Sequence, residues 1–277
     1  MAKIRYYLPL LHKGQNSIYQ FYRIGGYGLG NMLFPFFRAL CFGIRDGASI
    51  LYPFFNQIQP RNFLREKTKN SLRNYNDVFI KFLWATLPCK TSTKIFYSNN
   101  WFEEEKIFKA NSIYFLGCKN YFYDLINFRL LIQNFVKYSF DSKDLMNIDQ
   151  VAFHIRLGDF LINKNAVSPE IILKKILYFS QINEVKIYSD FNLRKLIEFL
   201  DISELPANVE LIRNFSPMQD IIEMSQSKYL VGNPKSTFVE WARFLSPISS
   251  RQTTYSLLSK KEYEKNKITP LEWDYFL

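Results

Sequence analysis

The stretch Val151-Ala152-Phe153-His154-Ile155-Arg156-Leu157-Gly158-Asp159-Phe160 decides the fold class. It opens on a short apolar run of the kind that a parallel sheet buries on both faces. Downstream, Ser168-Pro169-Glu170 begins a helix with Ser at the N-cap and Pro at the first helical position, and Ile171, Ile172, Ile176 and Phe179 form its apolar stripe. Val185–Tyr188 reads as a second strand and Asn192–Leu200 as a second helix, followed by a third strand at Val209–Ile212. Ser216-Pro217-Met218-Gln219 fits a capping box that starts a third helix through Met224. Tyr229–Val231 then makes a fourth strand and Ser236–Phe244 a fourth helix. Strands alternating with helices of this length predict a parallel, Rossmann-like sheet.

The first half opens in the same manner. Tyr19–Ile24 predicts a strand, Gly25-Gly26-Tyr27-Gly28-Leu29-Gly30-Asn31 a tight loop, and Met32–Ile44 an apolar helix with Pro35 in its first turn. Residues 60–110, rich in Lys, Asn and aromatics, show weak periodicity. The change in texture near Asp141–Gln150 predicts two domains, 1–145 and 146–277, in an α/β chain.

Composition narrows the chemistry. The 277 residues carry 36 Lys+Arg against 25 Asp+Glu, a formal charge of +11, with 48% apolar and 18% aromatic residues, so the chain can bury a sizeable core. A basic excess of this size suits nucleic acid, an anionic membrane surface or a phosphorylated small molecule, and Lys beside Asn, Ile, Phe and Tyr also arises from A/T-rich codons. The two histidines are His12 and His154, and the three cysteines Cys41, Cys89 and Cys118 form no CxxC pair, which excludes a zinc knuckle and a disulfide scaffold. No run approaches the ~20 apolar residues of a membrane span, and the start is too interrupted for a secretory leader, so a cytoplasmic setting is expected.

Three segments can carry chemistry. The glycine loop can admit a ligand or bind an anion at a helix start, or it can be a sharp strand-to-helix turn; it matches neither GxGxxG nor a Walker loop. His154 and Arg156, two residues apart at the carboxyl end of a strand, point to one side. Arg156 there can fork onto a phosphate with His154 contacting base or sugar, or the two can be a core histidine and an arginine paired with Asp159. Ser236 and Thr237 open a helix and offer hydroxyls and N–H groups to a diphosphate, unless Ser236 is a plain N-cap. Asp190, ending the second strand, either caps the next helix or reaches the ligand. Glu103-Glu104-Glu105 reads as a solvated helix start. No Asp-x-Asp, GxSxG or RNA- or DNA-binding signature is present.

In order, Gly26-x-Gly28-x-Gly30-Asn31 with Phe34, His154-x-Arg156-x-Gly158-Asp159-Phe160, and Ser236-Thr237-Phe238 with Trp241 resemble the α-1,2-fucosyltransferase family of bacterial surface-glycan synthesis, and more distantly α-1,6- and protein O-fucosyltransferases. The family patterns look like GGLGNQMFQYA, HxRRGDY/F and NSTFSWWGA. The likeness covers residues 24–42 and about 150–245; Leu157 replaces the second Arg, Met32 follows Asn31 where Gln is usual, and Glu240-Trp241 stands for the Trp pair. The resemblance implies a GT-B-like enzyme: two Rossmann-like domains facing across a cleft, the N-terminal one acceptor-side and the C-terminal one donor-binding. It implies inverting, metal-independent transfer from GDP-β-L-fucose without a cofactor. Arg156, Asp159 and Asn31 would be the catalytic group, with Arg156 stabilising the leaving diphosphate. His154, Gly28, Gly30, Asn31, Asp190, Ser236, Thr237 and Phe238 would join Arg156 in holding the donor. Asp159 is a nominal general base that can equally orient Arg156.

The expected partners are thus a nucleotide-sugar donor and a lipid-linked glycan acceptor, with no nucleic acid. A peripheral position at the inner face of the membrane follows, for which Lys67, Lys69, Arg73 and Lys81 interleaved with Phe79, Phe82 and Trp84 form one candidate patch. The rival readings are a transferase using another nucleotide sugar, and a non-catalytic basic protein binding membrane surfaces or nucleic acid.

Overall fold

The computed structural model describes residues 6–9, 23–24, 28–50, 57–58, 78–79, 81–82, 113–116, 120–140, 147–157, 167–181, 183–190, 192–212, 216–247, 252–265 and 267–276. The chain divides into two compact units, Met1–Ser142 and Lys143–Leu277. The expected strand at Tyr19–Tyr22, Gly25–Tyr27, Glu103–Glu105 and Gly158–Phe160 lie outside the described residues.

The first unit holds strands β1 (Tyr6–Pro9), β2 (Arg23–Ile24), β3 (Ser49–Ile50), β4 (Gln57–Ile58) and β5 (Ile113–Leu116). β3, β1 and β5 form a parallel sheet in that order, and β2 pairs with β4. Helix α1 (Leu29–Asp46) starts three residues before the predicted Met32 and stops where Gly47 adopts the left-handed conformation (φ 61°), its N–H closing onto the Gly43 carbonyl. Two expectations change with that boundary. Gly30 and Asn31 lie in the first turn of α1 rather than in a loop, and Pro35 sits inside the helix, which therefore forgoes a backbone bond to the Asn31 carbonyl.

Phenylalanine is the packing material here. Phe36 stacks on Phe82 (4.9 Å between centroids), Phe82 on Phe135 of α2 (Arg129–Phe140; 5.4 Å), and Phe34 meets Phe122 edge-on (4.7 Å). Each such pair adds about 0.5–1.5 kcal/mol beyond its area burial. Phe79 and Phe82 are buried in this core, which corrects the candidate lipid patch: these rings cannot rest on a bilayer. Lys81 is exposed over the Phe140 ring, and Lys67, Lys69, Arg73 and Trp84 lie outside the described residues.

The second unit is the predicted parallel α/β sheet. Its strands are β6 (Asn147–Ile155), β7 (Glu184–Ser189), β8 (Val209–Ile212), β9 (Ser227–Gly232) and β10 (Thr253–Ser256), in the order β10-β9-β6-β7-β8 with every pair parallel. The chain lays β7 and β8 to one side of β6, then returns to its other side for β9 and β10. The reversal point is the seam between β6 and β9, where His154 is opposite Gly232.

The connecting helices are α3 (Pro169–Ser180), α4 (Leu193–Leu200), α5 (Pro217–Gln226) and α6 (Thr237–Leu245), with α7 (Lys260–Lys265) after β10. Val151, Phe153, Ile155 and Leu157 join one core cluster with Ile172, Ile176 and Phe179 of α3 and Leu196 and Leu200 of α4. Burying a side chain of this size contributes about 1.5–3 kcal/mol. The α3 stripe is thus i, i+4, i+7 from Ile172; Ile171, one residue off the stripe, is exposed instead.

Caps are also reassigned. Ser168 makes no side-chain cap bond. Ser216 accepts from Met218 N (3.3 Å), while the Gln219 amide donates to Glu223 rather than reaching back, so the capping box is only half formed. β10 and α7 were not foreseen. Asp274 holds β10 by accepting from Thr254 N and Oγ1 (2.8 and 2.9 Å), and Tyr275 stacks on Tyr255. Glu240 and Trp241, which stand where the resembled motif has a Trp pair, are both buried in α6. Glu240 pairs with Arg243 (2.8 Å) and accepts from the Trp273 indole (2.8 Å), which fastens α6 to the C-terminal segment.

Candidate functional site

The carboxyl ends of β6 and β9 flank the reversal point, the place where an open parallel sheet leaves a crevice for ligand. β6 delivers His154 and Arg156 there; β9 delivers Gly232, the Asn233–Ser236 turn and the start of α6. Alternation along β6 explains the selection: Phe153, Ile155 and Leu157 enter the core against α3, leaving His154 and Arg156 for the opposite side. Leu157 is fully buried. Its position, where the family pattern has a second Arg, is a core position in this chain.

The backbone draws α6 close to β6. A Cβ at Gly232 would lie 2.7 Å from Val239 Cγ2, so only glycine lets the first turn of α6 settle against the end of β9. Asn233 builds the turn: its side chain accepts from Lys235 N (2.9 Å) and its carbonyl from Ser236 N (2.8 Å). Phe238 is thereby brought onto His154, the two rings stacking at 5.3 Å and 26°.

The electrostatics follow from burial. His154 is 7% exposed, and burial, with the positive charge of Arg156 as a second cause, pushes its imidazole down to about 3. The ring is neutral at neutral pH and cannot serve as an acid there. The same effect places the Arg156 guanidinium, itself half-buried, within electrostatic reach of the imidazole.

His154 Nδ1 and Ser236 Oγ are buried polar atoms without a hydrogen-bond partner from the chain. Ser236 occupies the N-cap of α6 but its hydroxyl caps nothing, so it is not a plain N-cap. The first-turn N–H groups of α6 at Thr237 and Phe238 lack intrahelical acceptors by construction and carry the positive end of the helix dipole. Ring face, guanidinium, hydroxyl and helix start make a site for a ligand that joins a planar group to an anion.

Asp190 is not the cap of the next helix. Asn192 caps α4 by accepting from Lys195 N (2.8 Å), whereas Asp190 Oδ1 accepts from Leu157 N (2.9 Å). Asp159 lies outside the described residues. Gly28, Gly30 and Asn31 belong to the first unit: Gly28 is the N-cap of α1 with ordinary backbone (φ −65°) and no described residue within 4 Å of a Cβ placed on it, Gly30 is buried, and Asn31 is half-buried. Gly232 and Asn233 were overlooked as site residues; a glycine ending an apolar strand and followed by Asn-Pro was their signal. Among the described residues no three His, Cys, Asp or Glu side chains cluster as metal ligands, and no helix is long and apolar enough to cross a membrane.

No family model and no curated protein matches the sequence. Among solved structures, the chain is similar to NodZ alpha-1,6-fucosyltransferase soaked with GDP-fucose, at 12% identity and a TM-score of 0.43 over 88% of this chain and 94% of that one. The fucosyltransferase NodZ from Bradyrhizobium gives 12% identity and a TM-score of 0.42 over 89% and 94%. POFUT1 in complex with GDP-fucose gives 13% and 0.35 over 91% and 73%.

Proposed function

We propose that the chain is a glycosyltransferase that moves L-fucose from GDP-fucose to a glycan hydroxyl. The observation that carries this reading is the crevice at the β6–β9 reversal: a neutral histidine stacked on Phe238, Arg156 beside it, and a helix start whose N-cap hydroxyl is buried and unused. The resemblance of the three segments to the bacterial α-1,2-fucosyltransferases supports L-fucose as the sugar and GDP as the nucleotide.

In this reading the diphosphate lies on the N-terminus of α6, within reach of Ser236 and Thr237. Arg156 neutralises the charge that develops on the leaving oxygen as the bond to the fucose anomeric carbon breaks, and the acceptor oxygen forms the new bond from the opposite face. His154 contributes shape and a hydrogen-bonding nitrogen, not a proton. Removal of the acceptor proton falls to a carboxylate outside the described residues, of which Asp159 is the nominal choice, or to solvent late in a dissociative path. Asn31 and the glycines at the start of α1 serve the fucose and acceptor side. Inversion, independence from metal, an α-1,2 linkage, a lipid-linked acceptor of surface polysaccharide synthesis and a cytoplasmic, membrane-peripheral location are the finer parts of the proposal.

The test is a thermal-shift comparison of GDP-, UDP-, TDP- and CMP-sugars, since a ligand at 100 times its Kd adds about 2.7 kcal/mol to stability. GDP-fucose is expected to stabilise the wild type most, and Arg156→Ala or Arg156→Lys to abolish transfer without loss of fold. Near-normal turnover in either variant, or stabilisation by another donor class alone, overturns the assignment.

A further inference from the structure

We infer that Asp190 is a positioning residue for Arg156, acting through the backbone of Leu157 and not by touching the donor. The inference rests on the functional reading above only for its consequence in binding. Its basis is where the β6–β7 ladder stops. The last paired residues are Ile155 and Ser189, after which β7 turns away toward the Asn192 cap of α4. A parallel neighbour would normally go on accepting from β6 with its backbone. Here the Asp190 carboxylate substitutes: Oδ1 takes the Leu157 N–H at 2.9 Å, one step beyond the ladder.

The consequence falls on the residue in between. Ile155 is fixed by the ladder and by burial (1% exposed). Leu157 is fixed by its side chain in the core (0% exposed) and by its N–H on Asp190. Arg156 is held between two anchored neighbours, so its Cα and the direction of its side chain are set before any ligand arrives. A long flexible arginine gains most from such anchoring, because pre-set geometry lowers the ordering cost at binding. An ionised carboxylate also holds an amide more firmly than a neutral acceptor does.

The experiment has two arms. Amide hydrogen exchange reads the hold directly: the Leu157 amide is expected to be protected in the wild type and in Asp190→Asn, which retains an acceptor oxygen, and to exchange about 10- to 100-fold faster in Asp190→Ala while β9 and α6 amides keep their rates. A double-mutant cycle reads the consequence with GDP as the probe. Asp190→Ala is expected to weaken GDP binding by about 10-fold or more in the wild-type background, by less than about 2-fold in Arg156→Ala, and Asp190→Asn to recover most of the loss. Additive losses, or an Asp190→Asn chain that protects Leu157 yet binds GDP as poorly as Asp190→Ala, would show direct contact with the ligand and overturn the inference. Equal Leu157 exchange in Asp190→Ala and wild type overturns it too. If GDP binds none of the chains, the proposed function falls, and the exchange arm alone decides whether Asp190 holds the backbone that carries Arg156.

Discussion

Replacing His154 by Phe isolates the most unusual electrostatic feature of the site. The imidazole titrates at about 6.5 in an unfolded chain and at about 3 in the folded one, because burial and the nearby Arg156 penalise its charged form. Its folded value is depressed, so between these limits the unfolded chain takes up a proton that the folded chain refuses. Stability must then fall as pH drops from about 6.5 toward 3, at up to about 1.4 kcal/mol per pH unit, and level off below that. From pH 7 to pH 5 the loss from this one group works out at about 2 kcal/mol. Glu240 acts in the opposite sense, since burial raises its carboxyl, but its contribution is common to both chains and cancels in the difference. Phe preserves a ring against Phe238 and removes the unpartnered Nδ1, so His154→Phe should be at least as stable as wild type at pH 7. The assay is native-state hydrogen exchange of the β6 amides at pH 7 and pH 5, converted to opening free energies. The variant's advantage should grow by about 2 kcal/mol at pH 5. Parallel pH profiles would show that His154 titrates normally in the fold, and the neutral-histidine site would have to be abandoned.

Other outcomes follow from packing. Gly232→Ala should destabilise the second unit by about 1–3 kcal/mol through the clash with Val239, and Val239→Ala in the same chain should relieve much of it, as measured by urea unfolding. Leu157→Arg, which places an arginine where the resembled motif has its second one, should cost at least about 3 kcal/mol and gain no GDP affinity, because that side chain faces the core; a folded variant with tighter GDP binding would contradict the core assignment. Glu240→Gln should cost about 3–5 kcal/mol by leaving Arg243 buried without its carboxylate, and a neutral result would mean the pair is not a fastening of α6. Gly28→Ala should change stability by less than about 1 kcal/mol, since a Cβ there meets nothing among the described residues, so any loss of GDP binding it causes reports on ligand approach.

The second unit was the more legible because its strands are buried on both faces and its helices begin with Pro or capping side chains. Those signals are local and strong enough to place β7 to β9 and α3 to α6 within about two residues, whereas β6 begins four residues before the expected Val151. What escaped is what depends on tertiary partners. Thr253–Ser256 has no apolar run, and becomes β10 because Asp274 and Tyr275 return to hold it. Asp190 looks like a cap by type and position, yet Asn192 outcompetes it once β7 ends and the Leu157 amide needs an acceptor. In the first unit the helix start was misplaced because Gly-Leu-Gly reads as loop, whereas packing of Leu29 and Leu33 draws that turn into α1. Of the candidate site, the motif residues His154, Arg156, Ser236 and Phe238 were readable. Gly232 was marked only as a glycine ending an apolar strand, and its role, a distance to Val239, needed the fold.

The charge of the chain and the charge of the site are separate matters. The +11 excess suggests a polyanion, yet the exposed Lys81, Lys137, Lys174 and Lys195 sit on four different helices, and Lys260, Lys261 and Lys265 share α7. Among the described residues the crevice has the Arg156 guanidinium, Lys235 in the turn and one helix start, and burial together with Arg156 keeps its histidine neutral. A site of this kind attracts a compact anion with little counterion release, so GDP affinity should change by less than about 10-fold between 50 and 200 mM salt. A nucleic-acid surface making 6–10 phosphate contacts would lose about 10³–10⁵ over the same range. Measuring Kd for GDP and for single-stranded RNA across that range sets the two readings against each other. A shallow slope for GDP with weak RNA binding at physiological salt fits the crevice, and tight RNA binding with a steep slope would return the function to the lysine surface.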